Sequence, residues 1–159
     1  MSFQCQVSRL LDDEHRSSIA LLDRVGHALA GGDLGALQAL AAPLQRQLAH
    51  EIGHHFGFEE AELFPRMADA GDAELAQLLT EEHDTLRAVA AELQPLAALL
   101  VAGTLGAAQR AALQRLAGEL VERQVAHIQK ETMALLPLLD DLLDDETDRQ
   151  LAFTYTADA

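Results

Sequence analysis

The stretch His55-Phe56-Gly57-Phe58-Glu59-Glu60-Ala61-Glu62-Leu63-Phe64-Pro65 decides how this chain is read, because its plan recurs. His127-Ile128-Gln129-Lys130-Glu131 repeats the His-x-x-x-Glu core 127 − 55 = 72 residues on, and a proline follows ten residues after each histidine, as Pro65 and Pro137. Residues i and i+4 share one face of an α-helix, roughly 6 Å apart along its axis. Each pair therefore sets an imidazole and a carboxylate on one side of a helix. A second repeat precedes the first: Glu14-His15 returns as Glu82-His83, at 83 − 15 = 68. The chain reads as two helical hairpins of one plan. Each supplies a histidine from its first helix and a His-x-x-x-Glu pair from its second.

Breaks around these motifs set the helix limits. Gly31-Gly32-Asp33, Asp69-Ala70-Gly71-Asp72 and Gly103-Thr104 divide the chain, with Asp33, Asp72 and Thr104 expected as N-caps. The expected helices are about 7–30, 33–68, 73–102 and 105–136. Pro43 and Pro95 fall inside two of them, where kinks or local restarts are expected. A short fifth helical piece is expected after Pro137, through Leu143, and then a ragged polar tail. That makes 1–143 an up-down-up-down antiparallel four-helix bundle and 144–159 a C-terminal tail. The absence of Trp, the single Tyr and the abundance of Leu, Ala, Gln, Glu and Arg agree with an all-α chain.

Every helix carries an apolar stripe at helical spacing, and every stripe is interrupted. The first runs Leu11, His15, Ser18, Leu22, Val25, Leu29; the second Leu37, Leu40, Leu44, Leu48, Ile52, His55, Glu59, Leu63. The third runs Leu79, His83, Leu86, Ala90, Leu93; the fourth Leu113, Leu116, Leu120, His127, Glu131, Leu135. Antiparallel packing brings the starts of helices one and three level with the ends of two and four. His15, His55, Glu59, His83, His127 and Glu131 then share one layer of the core. Buried carboxylates without partners are costly by several kcal/mol, so something must compensate them. Four imidazoles and two carboxylates exceed what one tetrahedral zinc takes. They suit two transition-metal ions of higher coordination number, with one carboxylate or both bridging.

These residues resemble the hemerythrin-like (HHE cation-binding) domains, over nearly the whole chain from about His15 to Pro137. The resemblance implies an oxo- or hydroxo-bridged, non-haem pair of iron ions that binds O2 or a related small ligand. It also implies His15 and His83 as ligands from the first and third helices, His55 and His127 as terminal ligands, and Glu59 and Glu131 as bridges. The oxygen carriers of that group have a second histidine one turn away on the third helix; here those positions are Leu79 and Arg87. Their fourth-helix carboxylate is an aspartate at the place of Thr132, and Glu131 takes its role here. A site with one histidine fewer is more open, which leaves room for redox chemistry or sensing.

The remaining candidates take plainer readings. His27 lies about 120° round its helix from His15 and belongs at the surface. His50 and His54 are one turn apart, on another face than His55. Glu60 is a neighbour of the site or a solvated residue, and Phe56, Phe58 and Phe64 wall the bundle near it. Glu51-Ile52-Gly53-His54 is one Glu-x-x-His match, and the fourth helix has no second, which disfavours ferritin-like iron storage. Cys5 alone forms no internal disulfide and is expected to be a free thiol without a role. The formal charge of -15 disfavours nucleic acid and membrane surfaces. No signal-peptide pattern and no uninterrupted apolar run of about 20 residues is present, so a cytoplasmic protein is expected. The leading functional expectation is a binding protein for O2, in storage, delivery or sensing. The alternatives are a redox enzyme acting on nitric oxide or peroxide, and an iron- or oxygen-responsive regulatory module.

Overall fold

A computed structural model describes residues 2–158. Five helices follow in order: α1 Gln6–Ala30, α2 over residues 34–67, α3 Ala73–Ala102, α4 over residues 107–142, and α5 Asp145–Ala157. No strand occurs among the described residues. The first four pack in a ring, α1 on α2, α2 on α3, α3 on α4 and α4 back on α1, while α5 lies along α1. This is the all-α, up-down-up-down bundle that the duplicated pattern requires.

The breaks work as glycine stops. Gly32 and Gly103 have φ of 61° and 73°, a left-handed conformation that costs glycine little. After each, two backbone bonds close the helix end: Gly32 N to Leu29 O and Asp33 N to Ala28 O, then Gly103 N to Leu100 O and Thr104 N to Leu99 O. These are Schellman closures. Asp33 caps α2 as expected, its carboxylate accepting from Ala36 N at 3.0 Å. Asp72 occupies the corresponding place before α3 but makes no side-chain cap bond. Thr104 is spent on the closure of α3, so α4 begins two residues later than expected. Its cap is Gly106, whose N–H donates to the Gln109 side chain at 2.9 Å.

Helices α2 and α3 run through Pro43 and Pro95. The local departures lie elsewhere, at three widened π turns inside helices, Glu51–His55, Glu59–Leu63 and Glu131–Leu135, and a fourth, Ala68–Asp72, at the break before α3, where Gly71 has φ of 104°. Two of them open on a candidate ligand and end just before a proline, at 59 + 6 = 65 and 131 + 6 = 137. Proline has no N–H and its ring clashes with the carbonyl four residues back. The preceding turn relieves both by widening, so that Phe64 N reaches Glu59 O and Leu136 N reaches Glu131 O. Helix α4 thus continues past Pro137, and the expected separate piece is its last turns, Leu136–Leu142.

Apolar side chains form two clusters, one on each side of the polar layer. Leu22, Val25, Leu40, Leu44, Phe56, Leu86, Leu93 and Leu120 belong to one. Leu11, Leu63, Met67, Leu79, Leu135 and Leu139 belong to the other. On each of the four helices the candidate ligands stand between members of the two. One 18-residue window within Leu34–Ala102 reaches a mean hydropathy of 1.4, enough by length and composition to cross a bilayer. A third of that window is buried inside the bundle.

The segment expected as a ragged tail is the helix α5. Asp144 caps it by accepting from Thr147 N at 2.7 Å, and Leu151, Ala152 and Tyr155 are buried along one side. Cys5 is buried with its thiol on Leu139 O at 3.5 Å. Burial and the nearby Asp148 carboxylate push that thiol up to about 12, which leaves it unreactive at neutral pH.

Candidate metal centre

All six residues singled out in the sequence meet in one layer, each at most 2% exposed. They form two overlapping sets. His15, His55, Glu59 and Glu131 bring donor atoms within 4.8 Å of one another, and so do Glu59, His83, His127 and Glu131. The two glutamates belong to both sets. Nε2 of His83 and Nε2 of His127 are 3.1 Å apart, with Glu59 Oε1 3.4 Å from the first and Glu131 Oε2 3.3 Å from the second. On the other side His15 Nε2 is 3.1 Å from Glu131 Oε1 and His55 Nε2 is 3.4 Å from Glu59 Oε1.

The outward nitrogens explain why the rings point this way. His55 Nδ1 meets Glu14 at 2.8 Å, His83 Nδ1 meets Glu60 at 2.7 Å, and His127 Nδ1 meets Glu82 at 2.8 Å. His15 Nδ1 meets the Thr132 hydroxyl at 3.1 Å. A carboxylate on Nδ1 keeps the proton there and leaves the Nε2 lone pair free toward the core, the tautomer a metal ligand needs. These partners follow one rule. Each sits beside a candidate ligand in sequence, yet supports the histidine of a neighbouring helix. Glu14 follows this rule beside His15, Glu82 beside His83, Glu60 beside Glu59, and Thr132 beside Glu131.

A further tier holds the carboxylates. Arg87 reaches Glu60 at 2.9 Å and Lys130 pairs with Glu82. Glu14 accepts from Tyr155 and meets His50 at 2.7 Å. Glu51, 3% exposed, accepts from Ser18 at 2.7 Å and stands 3.7 Å from His55 Nδ1. The widened turn Glu51–His55 brings Glu51 inward, whereas simple helical periodicity assigned the buried position to Ile52, which is half-buried. Phe56 stacks on His83 with centroids 3.8 Å apart and planes within 4°. His54 stacks on Tyr155 at 4.3 Å, and His27 is exposed on the surface.

Electrostatics of the layer are those of buried carboxylates set among imidazoles. Both oxygens of Glu59, Glu131 Oε2 and His55 Nε2 lack hydrogen-bond partners among the described residues, at the points where the two donor sets converge. Burial opposes a charge on each histidine, but the glutamates prevail. Glu131 and Glu59 raise His83 to about 9, Glu131 and Glu82 raise His127 to about 10, and Glu59 and Glu51 hold His55 well above its ordinary value. Burial likewise opposes the Glu131 charge, while His127, His15 and His83 hold its carboxyl well below the usual range. Glu14 resists its own burial through bonds from His55 and Tyr155 and stays near about 2. Without cations, protons stand in for them. Imidazole nitrogens mixed with carboxylate oxygens are a donor set for transition metals, and the orphaned atoms show where such ions fit.

The family model of the hemerythrin HHE cation binding domain matches residues 6–139. The chain belongs to that family. Neither curated proteins nor solved structures gave a match. The family is one of cation-binding domains, and the layer supplies His/Glu groups of the kind that can hold a metal ion. The partners Glu14 and Glu82 were visible in sequence only as the repeated Glu-His dipeptide. Tyr155 lies beyond the family match, on a helix that sequence periodicity did not reveal.

Proposed function

We propose that the protein holds a pair of iron ions on His15, His55, His83, His127 and the shared Glu59 and Glu131, and binds O2 or a related small ligand there for storage, delivery or sensing. The observation that carries this reading is the sharing of both buried glutamates between two donor sets. Two histidines and two shared carboxylates per position leave coordination places open on ions that take five or six ligands. An iron pair would supply reversible electron transfer and a docking point for a diatomic ligand. The chain's residues do the rest. Glu14, Glu60 and Glu82 hold protons on the outward imidazole nitrogens. Phe56 and the leucines above and below keep bulk water from the layer, which would disfavour irreversible oxidation of the irons. A cavity of about 360 Å³ between α2 and α3, lined by Leu44, Leu48, Ile52, Ala90 and Leu93, reaches Arg87. The Arg87 guanidinium lies 5.6 Å from the Phe56 ring centre, so an apolar ligand has a path to within one side chain of His83.

Metal analysis with an optical spectrum tests this, on protein from iron-supplemented cells that is reduced and then returned to air. The expected result is about two irons per chain, oxo-to-iron bands in the near ultraviolet, and a spectrum that reverses when O2 is removed. Catalytic consumption of nitric oxide or peroxide would support the redox enzyme instead. Folded protein that takes up no iron would refute both.

A further inference from the structure

The two cation positions have equivalent ligands but are closed off by different chemistry. Around His83 and His127, the outward carboxylates Glu60 and Glu82 are each tied to a cation, Arg87 and Lys130. Around His15 and His55 no cation is used. His15 rests on a neutral hydroxyl, Thr132. Glu14 is held by the phenol of Tyr155 and by His50, and Glu51 by the Ser18 hydroxyl. The outward carboxylates of both positions, Glu14, Glu60 and Glu82, are about equally exposed, but the cavity that reaches Arg87 beside the first is lined mainly by apolar side chains, whereas the one beside the second is lined by charged and hydroxyl groups. An open cleft of about 410 Å³ between α1 and α2 is lined by Asp13, Glu14, Ser18, His50 and Glu51, with Arg46 at its wall. Two of those side chains, Glu14 and Glu51, are the groups nearest His55 Nδ1.

Tyr155 is the chain's single tyrosine, is 3% exposed, and belongs to α5, outside the matched residues 6–139. Its hydroxyl reaches Glu14 from the opposite end of the sequence, and its ring packs on His54 and, at 4.7 Å, on Phe58. Helix α5 is pinned in turn by Asp148, which accepts from Gln6 N at 2.9 Å and Val7 N at 3.0 Å.

We propose that the His15/His55 position is the exchangeable one, reached through the α1–α2 cleft, and that Tyr155 slows exchange there by holding Glu14 on His55. Tyr155 is a positioning residue: it acts on the metal through Glu14 and His55. The acidic cleft draws a hydrated cation inward, and the neutral closure lets water follow. The cation-tied closure around His83 and His127 resists both. This inference rests on the two-cation reading above.

The test loads the full chain with ferrous iron under anaerobic conditions and mixes it with an excess of a coloured ferrous chelator. Two release phases of equal amplitude are expected, one iron per chain in each. Tyr155→Phe should speed the fast phase about tenfold, the usual size of losing a partner behind a metal-bound histidine, and leave the slow phase unchanged. Glu14→Gln should act on the same phase, and its combination with Tyr155→Phe should add little. Lys130→Met should speed the slow phase alone. The thermal midpoint of metal-free Tyr155→Phe, measured alongside, separates a loosened helix from a loosened ligand: an unchanged midpoint with a faster first phase supports the proposal. A single release phase, or equal acceleration of both phases by Tyr155→Phe, overturns it. Failure to load more than one iron would instead refute the two-cation reading.

Discussion

On the reading proposed above, protons and cations compete for the same imidazoles, and the competition sets opposite pH dependences. In the metal-free protein the folded-state values of His83 and His127 rise from 6.5 to about 9 and about 10. A raised value contributes stability that is fully present below 6.5 and is lost as pH rises through the folded value. The carboxyls run the other way. Glu14, lowered from 4.5 to about 2, contributes above 4.5 and loses that contribution as pH falls toward 2. Metal-free protein should therefore be most stable between about pH 4.5 and 6.5, and its denaturant midpoint should decline steadily from there to about pH 10. The metal-loaded form should not show the alkaline decline, because its imidazoles are already neutral and metal binding releases protons. Denaturant midpoints measured for both forms across that range decide it; a metal-free midpoint that stays level between pH 6.5 and 9 counts against the protonated layer. The six ligand candidates were legible because a polar residue in an apolar stripe is conspicuous, and twice over in register more so. Glu14 and Glu82 were not legible as partners of His55 and His127, since each acts on a helix other than its own, and only packing reveals which.

Among the elements, α1 begins on Cys5, a residue with no side-chain cap bond. The orphaned N–H groups of its first turn are met from α5 instead, by the two oxygens of Asp148, with Asp140 of α4 serving Gln4 N and Cys5 N just before it. A carboxylate at a helix N-terminus both accepts these bonds and opposes the helix dipole. Asp148→Ala should therefore cost about 1–2 kcal/mol in chemical denaturation, the size of a lost N-cap, while the protein still loads its metal in the same ratio. A loss of metal ratio in step with stability would mean that α5 is needed for the layer to form at all. The acidic run Asp144, Asp145, Glu146 and Asp148 made this segment read as a solvated tail. The same residues are a helix-start signature, an aspartate cap followed by an acidic first turn, and Leu151, Ala152 and Tyr155 are the short apolar face that follows. The π turns were illegible for another reason. Periodicity assumes 3.6 residues per turn, and a widened turn slips the register by one, which is how Glu51 replaces Ile52 inside.

Across the whole molecule, a polar layer divides the core into two apolar clusters, so the bundle is held from both ends around a layer of buried charges. The net charge of -15 adds a general self-repulsion that two divalent cations would reduce to −15 + 4 = −11. Fold class was readable from the sequence because the clusters follow from the stripes, and antiparallel order follows from short connections. How strongly the layer depends on its ions was not readable, since that depends on which buried oxygens remain without partners. In the structure, four polar atoms of the layer make no hydrogen bond, and a buried polar group without one is costly. Ligands that bind only the folded state raise its stability by mass action. Removing metal with a chelator at pH 7 should thus lower the melting temperature by well over the roughly 2–4 °C that 1 kcal/mol produces in a chain of this length. The damage should also be local. Hydrogen exchange should accelerate first along residues 51–63 and 127–135, where the widened turns already carry irregular backbone bonds, while amides beside Leu22, Leu40, Leu93 and Leu116 stay protected. Equal melting temperatures with and without metal, or uniform loss of protection along all four helices, would show that the apolar clusters alone hold the layer closed.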